Sequence, residues 1–354
     1  MAVYTTIDNP ELYFQCKIYT GNGSSGHAQT FDGDEDMQPD LVWMKNRDAT
    51  GEHFLIDSVR GVQKDIHSNT TAAEGTDANS LTAFGTNGFT VGSQGDINGN
   101  TEKMVAWAWK AGGGSGSANT DGSINTASTS ANTTSKFSIG KFNTNTATSS
   151  SSAETIGHGL SGVAKMVILK PLGTDSWYVF HASAGNNTYV VLEGDGASTT
   201  NTNTWNNTAP TSSVFSINTT FWGKNTNNIA AYCFADVQGF SKFGSFTGNG
   251  NDDGTFVHTG FRPAWTMIKC TSASDHWPID DNKRSTSNFM QNTLRANLNN
   301  AEYTGSAYGI DFLSNGFKVR NDDGQYNLSG GSFVFMAFAE SPFVNSNGVP
   351  TNAR

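Results

Sequence analysis

Three short stretches of the chain alternate strictly between two sets of apolar positions. They are VAWAWKA at 105–111, IAAYCFA at 229–235 and FVFMAFA at 333–339. In the first stretch Trp107 and Trp109 share one parity and the small alanines between them share the other, so a strand sends the two sets to opposite faces. In the third stretch both parities carry bulky groups. This strand is therefore predicted to lie between two layers, at the centre of its sheet.

The segments that precede these runs repeat as well. Each copy opens with an aromatic-bearing strand, namely FQCKIYTGNG (14–23), FSIGKFNTNT (137–146) and SKFGSFTGNG (241–250). A strand ending in lysine follows, in PDLVWMK (39–45), AKMVILK (164–170) and PAWTMIK (263–269). The chain is thus a threefold repeat of a β-rich unit of roughly 100 residues, which is the ordinary size of a β-sandwich.

Two of the three copies carry a hairpin signal. TNGFTV (86–91) and SNGFKV (314–319) place Asn-Gly between apolar runs, where both residues tolerate positive φ. The second copy has no such turn and reads VFSINTTFW (214–222) instead. One stretch, SNFMQNTLRANL at 287–298, has a helix-like pattern and predicts a short surface helix or a turn-rich crossover.

The predicted fold class is all-β, with three related jelly-roll-like β-sandwich units and short helical turns. The predicted organisation is unit 1 (1–110), a linker rich in Gly, Ser, Thr and Asn (111–135), unit 2 (136–239), unit 3 (240–340) and a polar C-terminal tail (341–354). The linker composition is typical of a flexible tether, whereas almost no spacer separates units 2 and 3. We expect units 2 and 3 to pack closely and unit 1 to be looser.

Composition narrows the functional classes. The formal net charge of −10 disfavours nucleic acid as a partner, since phosphates attract a basic face. No apolar run has membrane-spanning length and no leader opens the chain, so we expect a soluble protein without membrane insertion. Cys16, Cys233 and Cys270 each lie in an apolar run, and their odd number and wide spacing predict buried free thiols in a reducing cytoplasm.

A weak calcium signal lies in the segment DGDED. Asp32, Asp34 and Asp36 alternate as they do in calcium-binding loops. However, Met37 stands where an EF-hand needs glycine, and Trp43 stands where it needs glutamate. A looser calcium site stays open as an alternative to ordinary β-turns, in which Asn, Asp and Gly are common. No other cofactor is expected.

Signs of catalysis are missing from the sequence. There is no G-x-S-x-G elbow, and the seven histidines show no metal-ligand spacing. A glycosidase needs two carboxylates at a set separation, and nothing singles out a pair. The acids that could contribute to such a pair are Asp175, Asp280, Asp281, Asp311 and Glu340. The chain is therefore predicted not to be an enzyme.

Recurring polar positions and loop aromatics are the remaining candidates. Lys45, Lys170 and Lys269 recur at one strand end and are interpreted as salt-bridge or rim residues, and His53 and His276 as residues that open equivalent strands. Aromatic rings on polar loops suit sugar stacking and protein interfaces. The binding or interface candidates are Trp205, Trp222, Tyr303, Tyr308 and Tyr326. The alternative is that they cap a sandwich edge.

Long strings of the chain resemble virion proteins of marine tailed phages. The strings are YTTIDNPELYFQ, WAWKAGGG followed by SANTDGS, GHGL with VILK, TGNG with TGFRPAW and MIK, and IDFLSNGFKVR with FMAFAESPF. This resemblance covers nearly the whole chain. Such proteins are described as tail-fibre-like or structural proteins with a repeated β-rich domain, and the family offers no catalytic residues to carry over.

The resemblance implies a function. We expect a non-enzymatic virion component, of the tail-fibre or appendage type, that takes part in host-surface attachment. It would be synthesised in the bacterial cytoplasm and displayed on the particle exterior. Its expected partners are other virion proteins, further copies of itself, and a host glycan or protein. A trimer is the usual symmetry of such appendages. The alternatives are a purely structural capsid-decoration or adaptor protein, and an enzyme that cleaves polysaccharide.

Overall fold

The computed structural model of the chain describes residues 5–224, 228–305 and 308–342, and these residues form an all-β protein. A short 3₁₀ helix, Pro10–Leu12, opens it. Unit 1 then contains β1 (Phe14–Thr20), β2 (His27–Thr30), β3 (Leu41–Asn46), β4 (Phe54–Asp57), β5 (Leu81–Gly85), β6 (Gly88–Val91), α1 (Gly95–Asn98) and β7 (Lys103–Trp109).

The second and third units follow the same order. Unit 2, with the segment before it, contains β8 (Ser128–Asn132), β9 (Phe137–Phe142), β10 (Ala153–Gly157), β11 (Met166–Pro171), β12 (Tyr178–His181), β13 (Thr188–Val191), β14 (Thr199–Thr200), β15 (Val214–Asn218), α2 (Thr219–Trp222) and β16 (Ile229–Phe234). Unit 3 contains β17 (Ser241–Thr247), β18 (Phe256–His258), β19 (Phe261–Cys270), β20 (Pro278–Asp281), β21 (Asn292–Arg295), β22 (Tyr303–Thr304), β23 (Ile310–Leu313), β24 (Gly316–Val319), α3 (Gly324–Asn327) and β25 (Ser332–Pro342).

In each unit the described strands form a larger and a smaller antiparallel sheet. The larger sheets have the orders β1-β7-β3-β4, β14-β13-β12-β11-β16-β9-β8 and β17-β25-β19-β20-β21-β22. The smaller sheets are β2-β6-β5, β10-β15 and β18-β24-β23. The closing strand, β7, β16 or β25, lies between the opening strand and the lysine strand each time. The prediction of an all-β, sandwich-like fold is confirmed, and so is the central position predicted for β25; β7 and β16 are central as well.

Strand register makes the three units superposable position by position. Trp43 pairs with Trp107 in unit 1, Ile168 with Tyr232 in unit 2, and Met267 with Met336 in unit 3. The same register makes Trp107, Tyr232 and Met336 equivalent positions. It also makes His53 equivalent to Trp177 and Trp277. His276 therefore lies one residue before the position equivalent to His53, and the interpretation that the two histidines open equivalent strands is wrong by that residue.

The two parities of the closing strands face two different cores. One parity packs inside its own unit between the two sheets: Ala106 and Ala108 of β7, Ala231 and Cys233 of β16, and Phe333 and Phe335 of β25. The opposite parity packs into a core shared by all three units, called here the shared core. It includes Trp43, Trp107, Trp109, Ile168, Trp177, Tyr232, Phe234, Trp265, Trp277, Met336 and Phe338. The outer faces of the larger sheets are therefore buried against one another.

The units close into a ring through one contact made three times. The backbone N–H of Gly51 donates to Asn299 O of unit 3 (2.9 Å), that of Asp175 to Thr71 O of unit 1 (2.9 Å), and that of Asp275 to Asp195 O of unit 2 (2.7 Å). Each unit thus uses the same loop to contact the unit before it, and the third contact closes the cycle. A head-to-tail contact that closes after three steps is the arrangement of a cyclic trimer, built here from one chain. The expectation that unit 1 would be loosely placed is wrong.

The segment predicted as a flexible linker is ordered. Its residues 128–132 form β8, which pairs with β9 along the edge of the unit 2 sheet. The Asp40 carboxylate accepts hydrogen bonds from the N–H groups of Ala111 (2.8 Å), Gly113 (3.0 Å) and Gly114 (2.8 Å). The composition misled because Ser, Thr, Asn and Gly serve tethers and polar edge strands equally well.

Two local predictions need revision. Both Asn-Gly hairpins form, but the glycine begins the second strand; a Cβ at Gly88 or Gly316 would collide with the carbonyl oxygen of Gln29 or Val257 on the neighbouring strand. The helix-like stretch 287–298 contains strand β21, so that helix is wrong. Of the predicted tail, residues 341 and 342 belong to β25 and residues 343–354 lie outside the described residues.

Candidate functional site

The two tryptophans proposed as exposed ligand platforms are buried. Trp205 is 2% exposed and Trp222 is 7% exposed, with ring centroids 6.2 Å apart. Each indole N–H donates to a backbone carbonyl, Trp205 to Thr188 O (2.9 Å) and Trp222 to Thr204 O (2.8 Å). They fill the end of the unit 2 core, where the other units have a hairpin, so their expected exposure is wrong.

Tyr326 is also buried, and it serves a polar network in unit 3. Its hydroxyl donates to Asp280 Oδ2 (2.8 Å) and lies 3.1 Å from the Thr293 hydroxyl, which donates to Asp280 Oδ1 (2.9 Å). Burial raises the pKa of Asp280 to about 6. The network is closed to solvent and supports α3 against the larger sheet, so it is structural and Tyr326 is not a surface contact.

Tyr303 and Tyr308 retain partial exposure. Their ring centroids lie 4.7 Å apart in an edge-to-face arrangement, and the Arg295 guanidinium lies 4.9 Å from the Tyr308 ring centroid. This small cluster at the β21–β22 edge is a surface feature with one cation over one ring. Of the five aromatic candidates, these two keep an interface role open.

The calcium candidates do not converge. Asp32, Asp34 and Asp36 are exposed; Asp32 pairs with Lys17 (2.5 Å), and the Asp34 N–H donates to Glu11 Oε2 (2.8 Å). Among residues 5–224, 228–305 and 308–342, no cluster of three or more His, Cys, Asp or Glu side chains is placed to hold a metal ion.

The three recurrent lysines occupy the ring junctions. They are fully buried and donate to main-chain carbonyls: Lys170 Nζ lies 2.6 Å from Asp175 O, and Lys269 Nζ lies 2.6 Å from Asp195 O of unit 2. Desolvation lowers the pKa of Lys45, Lys170 and Lys269 to about 8. The interpretation of these lysines as rim or salt-bridge residues is wrong, because all three are buried on main-chain carbonyls. Lys170 and Lys269 bond a carbonyl of the neighbouring unit, whereas Lys45 bonds carbonyls of its own loop.

Buried histidines replace other groups at equivalent positions. His181 lies where units 1 and 3 have Asp57 and Asp281, and its Nε2 lies 3.2 Å from Phe335 O of unit 3. Burial lowers the pKa of His181 to about 4. The pKa of His53 is also lowered by burial, well below its ordinary value. These rings are therefore neutral parts of the ring junctions.

We expect an acid-sensitive contribution from His181. Its pKa of about 4 in the folded state lies below the ordinary value of 6.5, so the unfolded chain takes up the proton first. The contribution of the neutral His181 ring to the free energy of unfolding is complete above pH 6.5. About 3 kcal/mol of this free energy is lost as the pH falls towards 4. Denaturant unfolding of the wild type and His181→Gln at pH 7.5 and 4.5 measures it. The wild type should lose more stability than the variant; equal losses would contradict the assignment.

An open surface groove lies on unit 3 and is called here the unit 3 groove. It has a volume of about 560 Å³ and lies between β17 and β18, with residues of unit 2 along one side. Phe256 projects beside it and is 44% exposed, which is high for a large apolar side chain. The lining residues are Lys165, Ala182, Ser183, Asp236, Lys242, Phe243, Gly244, Ser245, Phe246, Phe256, Val257, His258 and Phe335.

The charges of the unit 3 groove oppose the acidic character of the whole chain. Lys242 pairs with Asp236 (3.1 Å), and Asp236 also accepts the Phe243 N–H (2.8 Å). Lys165 has no ion-pair or hydrogen-bond partner for its ammonium in the part of the chain that the structure describes. Because the Asp236 carboxylate is paired with Lys242, the charge of Lys165 is left over and the groove is net positive. The whole protein, in contrast, has a net charge of −10.

Sequence reasoning missed this groove, although one signal was present. In the stretch TFVHT, alternation directs Val257 inwards and Phe256 and His258 outwards, and the burial of β18 follows that pattern. A phenylalanine on the outward parity of a short strand is an exposed aromatic. It escaped notice because the aromatic candidates were sought in loops.

The fold and the groove define an all-β protein of three sandwich-like units with an open groove on unit 3. A family model described as "Domain of unknown function (DUF7483)" matches residues 9–342, and the chain belongs to this family. No curated protein matches the chain. No solved structure matches it either. Within the described residues, no helix has the length and apolar character needed to span a membrane.

Proposed function

We propose that this protein is a non-enzymatic virion structural protein, a tail-fibre or appendage-type component that contributes to host-surface attachment. The observation that carries the proposal is the closed ring of three units around the shared core, with the unit 3 groove left open on its outside. A ring with buried junctions suits a mechanical part. The groove supplies a site for a partner, and the resemblance to phage virion proteins supplies the setting.

A second candidate function is a purely structural adaptor that joins other virion subunits. It is favoured by the burial of Trp205, Trp222 and Tyr326, since these rings are removed from any glycan. Both candidates use the same surface and differ in the partner. A polysaccharide-cleaving enzyme has less support, because Asp280 and Asp281 are buried and Glu340 pairs with Arg262 (2.5 Å).

Binding to host cells distinguishes the two candidates. Attachment predicts saturable binding of the purified chain to whole cells, reduced at least tenfold by Lys165→Glu, which places a carboxylate in the unit 3 groove. Lys103→Glu is the matched control, since its side chain is 66% exposed and lies away from the groove. Labelling of particles with a gold-tagged antibody should place the protein on the tail or its appendages. Labelling of the capsid and absence of cell binding would favour the adaptor, and release of sugar would contradict both.

A further inference from the structure

The unit 3 groove is the open side of a two-layer sandwich. β17 is the edge strand of the larger sheet and β18 is the edge strand of the smaller sheet, and both line the groove. The gap between them exposes Phe256 and leaves Phe246 only partly buried. Each unit has an equivalent side between its opening strand and the strand after it, and in units 1 and 3 both of these strands lie at the edges of their sheets.

In unit 2 the chain itself closes the same side. The segment 117–132, called here the closing segment, crosses from the smaller sheet to the larger one. The Ile124 N–H donates to Thr155 O of β10 (3.0 Å), and its side chain is fully buried in the unit 2 core. Further along, the Ala127 N–H donates to Lys141 O of β9 (2.7 Å), and β8 continues the pairing. An extended segment thus satisfies both sheet edges and fills the gap with one aliphatic side chain.

In unit 1 side chains bridge the corresponding side. Lys17 of β1 pairs with Asp32, which follows β2, at 2.5 Å. The rings of Tyr19 and His27 also meet across the two strands, with centroids 6.1 Å apart. Unit 3 has Gly244 at the position of Lys17, so it lacks this bridge. Among the described residues of unit 3, no segment and no pair of side chains spans the gap, and Thr255 Oγ1 reaches the Thr247 carbonyl only at the end of β17 (2.7 Å).

The edge of β17 presents free backbone groups. The backbone N–H and carbonyl groups of the odd-numbered residues of this strand point away from β25. This direction is shown by the Phe243 N–H, which donates to Asp236, and by the Thr247 carbonyl, which accepts from Thr255 Oγ1 (2.7 Å). Ser245 lies between them and points the same way. Its N–H and carbonyl have no partner in the described part of the chain. Register makes Ser245 equivalent to Lys141, the residue whose carbonyl the closing segment uses.

The edge of β18 matches in the same way. Pairing with β24 makes Phe256 equivalent to Thr155 of β10, the residue that bonds Ile124 in unit 2. The backbone N–H and carbonyl of Phe256 have no partner within the described residues. Unit 3 therefore offers both attachment points that unit 2 uses, at equivalent positions, and no described residue of the chain occupies them.

We propose that the unit 3 groove accepts an extended segment of a partner polypeptide as an added β-strand, in the manner of the closing segment in unit 2. Main-chain hydrogen bonds to Ser245 and Phe256 hold the segment, and an aliphatic side chain packs against Phe246 and Phe256. Lys165 takes an acidic side chain of the segment. The residue of unit 1 equivalent to Lys165 is Asp40, whose carboxylate accepts from backbone N–H groups. Because lysine in this position carries the opposite charge, it selects a carboxylate.

The proposal rests on the proposed function only in taking the groove as the partner-binding surface, and it defines the partner by chemistry: an extended polypeptide segment with one aliphatic and one acidic side chain. The test is independent of the virion setting. A fluorescent peptide with the sequence of residues 117–132, SANTDGSINTASTSAN, is titrated against the full-length protein and binding is followed by anisotropy. It carries the aliphatic Ile124 and the acidic Asp121. We expect saturable binding, and at least tenfold weaker binding of a peptide in which isoleucine is replaced by aspartate.

The variant Ser245→Pro removes the outward N–H and fills the space beside the edge, while the bonds of β17 to β25 remain. It should weaken binding at least tenfold. Ile18→Pro is the matched control at the equivalent position of β1 and should bind as the wild type does, with both variants checked for an unchanged melting temperature. Absence of saturable binding to the wild type, or equal binding by Ser245→Pro, would overturn the proposal. Binding of an acidic oligosaccharide that Ser245→Pro leaves unchanged would assign the groove to sugar instead.

Discussion

Replacement of Asp281 by alanine should lower the free energy of unfolding by about 3–5 kcal/mol, because it breaks a buried ion pair at a ring junction. Asp281 Oδ2 lies 2.5 Å from Arg284 Nε, and neither side chain is exposed. The same oxygen accepts the indole N–H of Trp107 from unit 1 (2.9 Å). Burial alone would raise the pKa of Asp281, but Arg284 lowers it below its ordinary value.

Asp281→Ala would leave the Arg284 guanidinium buried with Glu302 (2.9 Å), backbone carbonyls and the Trp107 ring for partners. Urea unfolding at pH 7 measures the loss. Glu340→Ala is the control, since its ion pair with Arg262 is about 40% exposed and should contribute no more than about 1 kcal/mol. A loss below about 1 kcal/mol for Asp281→Ala would show that the junction is open to water.

The second large effect is expected for Trp107→Ala, which should cost about 3–5 kcal/mol. Trp107 is fully buried in the shared core, with ring centroids 5.9 Å from Trp43 of its own unit and 6.2 Å from Trp265 of unit 3. Its removal leaves a cavity between units and takes one of the two hydrogen bonds from Asp281 Oδ2, which keeps Arg284 as its partner. The core cannot collapse into the cavity easily, because three rigid sheets surround it.

Thermal unfolding of Trp107→Ala, followed by circular dichroism and calorimetry, tests this effect. One transition at a lower temperature is expected, since the shared core joins the units into one cooperative structure. Phe256→Ala provides the control for loss of an exposed ring and should change stability by less than about 0.5 kcal/mol. A variant in which part of the protein melts early while the rest keeps the wild-type transition would contradict a shared core.

The junctions also explain why the three copies differ in sequence. Tyr232 donates to Asp57 Oδ2 (2.7 Å) just as Trp107 donates to Asp281. The third junction has Met336, whose side chain has no hydrogen to donate. His181 stands there in place of the aspartate, and its ring lies against the Phe335 carbonyl. The two changes compensate each other, so each junction keeps a polar contact at this position.

Much of the fold could be predicted from the alternation of apolar residues. Period-two parity correctly grouped Trp107 with Trp109 and Tyr232 with Phe234, and it placed β25 between layers. The same pattern could not show which layer covers the bulky face. A strand that is apolar on both faces has the same sequence pattern whether its second face packs against a sheet of its own unit or against another unit. The ring was therefore not predictable from parity.

The candidate site was less predictable, because exposure depends on the ends of the units. Trp205 and Trp222 lie among Asn and Thr, as an exposed ring would, yet they seal the core where unit 2 lacks its hairpin. The segment 111–135 reads as a tether except for Ile124, its one large apolar side chain. That residue was the signal for a buried segment, and it was outweighed by composition.

The ring is tested most directly by amide hydrogen exchange of the folded protein and of Trp107→Ala, followed by mass spectrometry of peptides from β7, β16 and β25. These closing strands report on units 1, 2 and 3 separately. The account predicts that all three lose protection by the same free energy in the variant, because the shared core holds them together. Loss of protection confined to β7, with β16 and β25 unchanged, would contradict it.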